Sequence, residues 1–201
     1  MASGSVLVFD MGGVLYDFQG ARLIAETSRR RRRFRSEEVQ AIWPALARGF
    51  ETGCVSEEAF SAAVISGYDL DLSPSEFLTR FRDAAAGFYE GALDLLGELG
   101  QRHCLLSLSN TNPVQWQKVL GDLAGQNPFQ AHHPSHLSGF HKPDRRAFEA
   151  IQATLPAQAQ VHFFDDRSEN VHAARALGWR AQRVRRVDGV RRACRELGLL
   201  P

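Results

Sequence analysis

The chain has no long apolar run, no excess of charge of either sign, and only three cysteines. Each absence removes a class of protein. A membrane-spanning helix needs ~20 predominantly apolar residues, and no stretch approaches that length. The N-terminal apolar run is too short for a secretory leader and ends at Asp10. Lys and Arg (24) nearly balance Asp and Glu (23), leaving a net charge of +1 with histidine neutral. No global field therefore points to nucleic acid. Cys54, Cys104 and Cys194 are odd in number and lack short metal-type spacing, so they read as free thiols in a reducing compartment. There is no internal repeat. The expectation is a soluble cytoplasmic protein with no nucleic-acid or membrane partner, as a monomer or a weak homodimer.

What the chain does have is alternation. Its 201 residues allow one α/β domain with a sizeable core plus an insertion. Strand-like runs stand at Val6–Asp10, Cys104–Ser109, Val161–Asp165 and Arg180–Val184, with a weaker one at Phe129–His133. Helical patterns cover Glu90–Gln101, Pro113–Leu123, Asp144–Thr154, Ser168–Leu177 and Val187–Leu197. Strands separated by helices predict a parallel sheet with helical crossovers. Asn112 and Ser168 read as N-caps and Gly178 as the residue after a helix end. Trp116 and Trp179 read as helix–sheet packing.

Residues 18–88 differ, with several helix starts and no convincing strand. "SPSE" at Ser73–Glu76 is a capping box with proline at the first helical position, and Ser56 followed by two glutamates opens another helix. A helical block inserted after the first strand is expected, with Trp43, Phe50, Phe60 and Phe77 in its core. The run "RRRRRFR" at Arg29–Arg35 reads as a solvated helix end or turn on that block.

Polar groups collect where strands end, which is where open α/β sheets bind ligands. Asp10 ends the first strand, and "SLSNTN" leaves Ser109 and Asn110 just before a helix N-terminus suited to an anion. "FFDD" brings together Asp165 and Asp166, which repel unless a cation joins them. "HKPD" places Lys142 before a Pro-started helix. Carboxylates, Mg2+ and a lysine form a coherent set for phosphoryl transfer through an aspartyl phosphate. By contrast, His132, His133 and His136 in "HHPSH" lack a carboxylate partner and read as surface or supporting groups rather than a transition-metal site.

With these motifs in order, the whole chain resembles the haloacid dehalogenase-like hydrolase superfamily. "LSNTN", "FETGCVSEEAF" and "FFDDRSENVHAARALGW" are similar to the branch holding an α-D-glucose-1-phosphate phosphatase and the phosphatase domain of soluble epoxide hydrolase. The resemblance implies a Rossmann-like core of residues 1–17 and 89–201 under a helical cap of residues 18–88. It implies a Mg2+-dependent phosphatase acting on a small phosphate ester, sugar phosphates included. Asp10 would be the nucleophile, with Ser109, Asn110 and Lys142 on the phosphate. Asp10, Asp166 and the Gly12 carbonyl would hold Mg2+, and Asp165 would orient waters or Lys142.

Gly12 departs from the pattern. Most phosphatases of the superfamily carry aspartate there, as the acid for the leaving group, and such proton transfer is worth roughly 10²–10⁴-fold. The glucose-1-phosphatase relative also has glycine there, so the loss does not by itself imply a dead enzyme. A cap residue, an ordered water or an undemanding leaving group remain open as substitutes. Two rival readings stand beside the phosphatase: a metal-independent haloacid dehalogenase, and a catalytically silent binding or regulatory protein on the same fold. Tyr16, Phe18, Trp43, Arg48 and Tyr89 are candidates to face the site from the cap or its hinges.

Overall fold

An unbroken apolar strand has no face to give to water, and β1 (Val6–Phe9) accordingly lies at the centre of a sheet covered on both sides. The computed structural model of the chain describes residues 5–29 and 36–201. After β1 come β2 (Tyr16–Phe18), four helices and β3 (Ala85–Phe88). The helices are α1 (Gly20–Thr27), α2 (Ser36–Glu51), α3 (Glu57–Tyr68) and α4 (Pro74–Asp83). Then follow α5 (Ala92–Gly100), β4 (Cys104–Ser109), α6 (Pro113–Asp122), β5 (Ala131–Pro134), a short α7 (Ser135–Ser138) and α8 (Arg145–Gln152). The chain closes with β6 (Val161–Asp165), α9 (Ser168–Ala176), β7 (Arg180–Arg183) and α10 (Arg186–Glu196).

Five strands form one parallel sheet in the order β5-β4-β1-β6-β7, a Rossmann-like arrangement. Phe9 at the end of β1 registers with Ser107 on one side and Phe164 on the other. Alternation along β1 divides the core. Leu7 and Phe9 join α5, α6 and α10 residues on one face, while Val6 and Val8 join Phe148, Phe163 and Trp179 on the other. Trp116 and Trp179 are both buried between helices and sheet.

The four helices between β2 and β3 have their own apolar cluster. Phe60 stacks on Phe50 at 4.2 Å and meets Trp43 and Phe77 at 5.8 and 5.9 Å. Ser73 and Glu76 make the expected reciprocal capping box, and Ser56 caps α3 through the Ala59 N–H. Asn112 caps α6 as expected, and Gly178 has the left-handed φ that follows a helix end. No helix among the described residues is long and apolar enough to cross a membrane. Of the arginine run, Arg29 pairs with Asp71 and the remainder, 30–35, lies outside the described residues.

Two corrections to the expectations have physical causes. Residues 18–88 do contain strand. β2 and β3 pair antiparallel with each other, and "AAGF", with Gly87 at φ +120°, has little intrinsic β-propensity to betray it. The pairing is decided by bringing the two ends of the helical block together. Ser168 is the first helical residue of α9 rather than its cap, because the Asp165 carboxylate takes the Arg167 N–H at 2.8 Å and shapes that turn. The weak strand forms at Ala131–Pro134, shifted from Phe129–His133.

His162 sits in β6 with 1% exposure and neither ring nitrogen hydrogen-bonded. Burial, then the Arg180 and His103 charges, lower its pKa from 6.5 to about 4. The unfolded chain therefore takes up a proton below pH 6.5 that the folded chain refuses until about 4. Stability is fully present above that window and falls as pH drops through it, by at most on the order of 3 kcal/mol. Burial lowers His132, His133 and His136 in the same direction. In urea melts, the His162→Leu protein should lose less stability than the natural one between about pH 7 and about pH 5. Parallel losses in the two proteins would refute this assignment.

Candidate active site

The strand order reverses at β1, with β4 and β5 on one side and β6 and β7 on the other. At such a switch the loops leaving the carboxyl ends diverge and open a crevice. Asp10 stands there, its N–H donating to Phe164 O at 2.9 Å and its Oδ1 accepting the Met11 N–H at 2.8 Å. Lys142 Nζ lies 2.8 Å from Asp10 Oδ1, 2.8 Å from Asp165 Oδ2 and 2.7 Å from Leu108 O. These oxygens match the three donors of an ammonium. Burial opposes the charge on Lys142, but Asp10 and Asp165 outweigh it and raise the ammonium pKa.

Asp165 is fully buried and fully used. Arg167 N–H donates to Oδ1, Lys142 to Oδ2, and Asn170 Nδ2 reaches both oxygens at 3.0 Å. It orients Lys142 and has little left for a metal. Asp166 is the opposite case, half-buried, with a carboxylate that accepts no hydrogen bond among the described residues. One oxygen each of Asp10, Asp165 and Asp166 lie within 4.8 Å of one another. Burial pushes the Asp10 pKa up to about 7 even with Lys142 beside it, and burial and Asp165 raise that of Asp166.

This cluster is short of positive charge and rich in hard oxygen. Asp10 Oδ2 and the Gly12 carbonyl oxygen also accept no hydrogen bond among the described residues. Two carboxylates, a carbonyl and room for waters fit Mg2+, which keeps much of its hydration. Gly13 makes the approach possible: it has φ +73°, and a Cβ there would come within 3.0 Å of Asp166 Oδ2. Gly12 itself has no positive φ, so its backbone admits a side chain. The Phe18 ring, 3.2 Å from where a Cβ would stand, fills that space instead.

The remaining expected residues divide. Asn110 lines the site, but its side chain is engaged: Oδ1 accepts the Lys142 N–H at 2.8 Å and Nδ2 donates to Lys142 O at 2.9 Å. It holds the lysine loop, which leaves its main-chain N–H for an anion. Ser109 is at the same strand end, 3% exposed, and does not itself line the cavity. That cavity has a volume of about 680 Å³ between the strand ends and the helical block. Phe18, Trp43 and Arg48 face it, whereas Tyr16 donates to Asp122 and Tyr89 lies under Arg186. His132 is occupied by Ser107 and Asn127, and no histidine joins the acidic cluster among the described residues.

Sequence reasoning left Asn170, Glu51 and His141 without roles, although all three stand inside the quoted motifs. Glu51 Oε2 lies 2.9 Å from His141 Nε2, joining α2 to the residue before Lys142. Nothing local marks the Glu51–His141 contact, which spans 90 residues, whereas Asn170 lies five residues after the Asp165 it holds and was within reach of a local reading.

The sequence pattern of the haloacid dehalogenase-like hydrolases matches residues 5–178, and the chain belongs to that family. No curated protein matches it closely enough to report. Its fold is similar to that of a HAD-family enzyme from Bacteroides thetaiotaomicron in complex with magnesium and inorganic phosphate. That similarity has a TM-score of 0.70 and 19% identity over 90% of this chain and 94% of the other. A putative HAD-hydrolase from Bacillus subtilis bound to magnesium is similar at TM-score 0.69 and 18% identity, covering 97% and 99%. The L-2-haloacid dehalogenase of Xanthobacter autotrophicus is similar at TM-score 0.61 and 21% identity, covering 90% and 77%.

If Asp166 is a cation ligand, Asp166→Asn should fold as well as the natural protein in metal-free buffer, since it removes one of three crowded carboxylates. It should lose the thermal stabilisation that Mg2+ gives, about 2.7 kcal/mol for a site saturated a hundredfold above Kd. Equal Mg2+ shifts in both proteins would exclude Asp166 as a ligand.

Proposed function

We propose that this hydrolase is a Mg2+-dependent phosphatase acting on a small phosphorylated metabolite through an aspartyl phosphate. The observation that carries the reading is Asp10: one carboxylate oxygen is locked by Met11 and Lys142, the other is free at the cavity floor beside Asp166. A nucleophile held by one oxygen and open at the other needs no reorientation to attack phosphorus. Residues 18–88 act as the cap, and residues 1–17 and 89–201 as the core.

In this reaction Asp10 Oδ2 forms the bond to phosphorus. Lys142 is already charged and fixed, so it steadies the phosphoryl oxygens without reorganisation. The Ser109 hydroxyl and the Asn110 N–H flank the same strand end. Mg2+ held by Asp10, Asp166 and the Gly12 carbonyl would supply the remaining charge neutralisation. Arg48, Arg183 and Arg185 ring the mouth without ion-pair partners among the described residues and favour an anionic substrate. A volume of about 680 Å³ suits a phosphosugar or a molecule of that size.

Incubation with phosphosugars, nucleotides and small phosphoesters should release phosphate with Mg2+ and none with excess chelator. Asp10→Asn should lower kcat by at least about 10³-fold, as expected when the nucleophile is removed. Halide release from a 2-haloacid in chelator would establish the dehalogenase reading instead. Absence of turnover together with absence of Mg2+ binding would leave a binding or regulatory protein.

A further inference from the structure

Glycine at position 12 leaves the proposed reaction without a proton donor beside its nucleophile. Most titratable groups that line the cavity are already committed. Asp10 and Asp166 serve phosphorus and cation, Lys142 is enclosed by three oxygens, and Glu169 is paired with Arg167. Arginine does not release its proton near neutral pH. Glu51 and His141 remain.

They come from opposite walls, Glu51 from the end of α2 and His141 from the loop before Lys142. His141 Nε2 lies 2.9 Å from Glu51 Oε2, with the side chains 17% and 15% exposed. The other ring nitrogen, Nδ1, lies 2.7 Å from Lys142 O. A carbonyl only accepts, so Nδ1 carries a hydrogen. Asn110 Nδ2 also stands 3.0 Å from Nδ1, but it donates to that same carbonyl and its orientation is set by the Lys142 N–H on Oδ1. With hydrogen on Nδ1, a neutral ring offers only a lone pair at Nε2. A lone pair and a carboxylate at 2.9 Å need a hydrogen between them.

Resting on the phosphatase reading, we propose that Glu51 is the general acid and base that stands in for the residue missing at Gly12, with His141 positioning it and sharing its proton. As Asp10 attacks phosphorus, the P–O bond to the leaving group breaks with its electron pair on that oxygen. Glu51 passes the shared proton to it, and the alcohol departs. A water then attacks the aspartyl phosphate and gives a proton back to Glu51 as the P–O bond to Asp10 breaks. The net reaction is ester plus water to alcohol plus inorganic phosphate, with Asp10 and the pair restored. The donor is complete only when the cap is seated on the core. The seat is made by Ser135 Oγ donating to Glu51 O and by Gly53, where a Cβ would come within 2.6 Å of His136 O.

The test is a series of substituted phenyl phosphates with Mg2+, comparing the natural protein with Glu51→Gln, which keeps the shape and loses the acid. The dependence of kcat/KM on leaving-group acidity should be shallow in the natural protein and steep in Glu51→Gln. The expected loss is roughly 10²-fold on phenyl phosphate and less than about threefold on a dinitrophenyl phosphate, whose leaving oxygen needs no proton. His141→Gln should shift the slope in the same direction. Equal losses across the series would mean that Glu51 only seats the cap, and an unchanged slope would also overturn the proposal. Nitrogen-15 NMR of labelled histidine should show His141 Nδ1 protonated; an unprotonated Nδ1 would likewise overturn it. A natural protein inert toward every ester with Mg2+ would bring down the phosphatase reading instead, and the NMR result would still decide the state of the pair.

Discussion

A lysine ammonium cut off from solvent stands between three strand ends, and the arrangement of the site depends on it. Lys142 reaches Asp10 after β1, Asp165 at the end of β6 and the carbonyl of Leu108 in β4. Remove it and two buried carboxylates face each other with no cation between them, and breaking a buried ion pair costs about 3–5 kcal/mol. With it, Asp10 is fixed by one oxygen and Asp165 is consumed in holding the lysine. The division of labour between the acids follows: Asp165 fully hydrogen-bonded, Asp10 half free, Asp166 free and beside Gly13.

The lysine's own loop is held by an amide acting as a short piece of backbone. Asn110 accepts from the N–H and donates to the carbonyl of Lys142, so the turn after β4 and the loop before α8 behave as one unit. That unit reaches the helical block through His141 and Glu51. One continuous set of polar contacts thus runs from Asp10 to the helical block. Because these side chains are mostly shielded from solvent, such contacts are stronger than at a surface and costlier to leave incomplete.

Much of this was legible from residue order. The strand exits at Asp10, Ser109 and Asp165, the capping box at Ser73 and the crossover helices all rest on local pattern, which the chain obeys because burial and capping act over a few residues. β2 and β3 were not legible. They are three and four residues long, and their pairing is imposed by closing the ends of the helical block. The engagement of Asn110 was hidden for a related reason: an amide before a helix N-terminus suits an anion and a neighbouring backbone equally well until the loop at Lys142 is placed.

The sequence by itself determined the fold class, the succession of the parallel sheet's strands and their crossover helices, and which acids and which lysine stand at strand ends. Those follow from hydrophobic period and turn chemistry along the chain. Only the tertiary structure decided what each of them touches. It showed Asp165 spent on Lys142, Phe18 in the space beside Gly12, and Glu51 set against His141 across 90 residues of chain. Contacts at that separation leave no periodic trace, because they are made by side chains that meet only once the sheet has brought their loops to one edge.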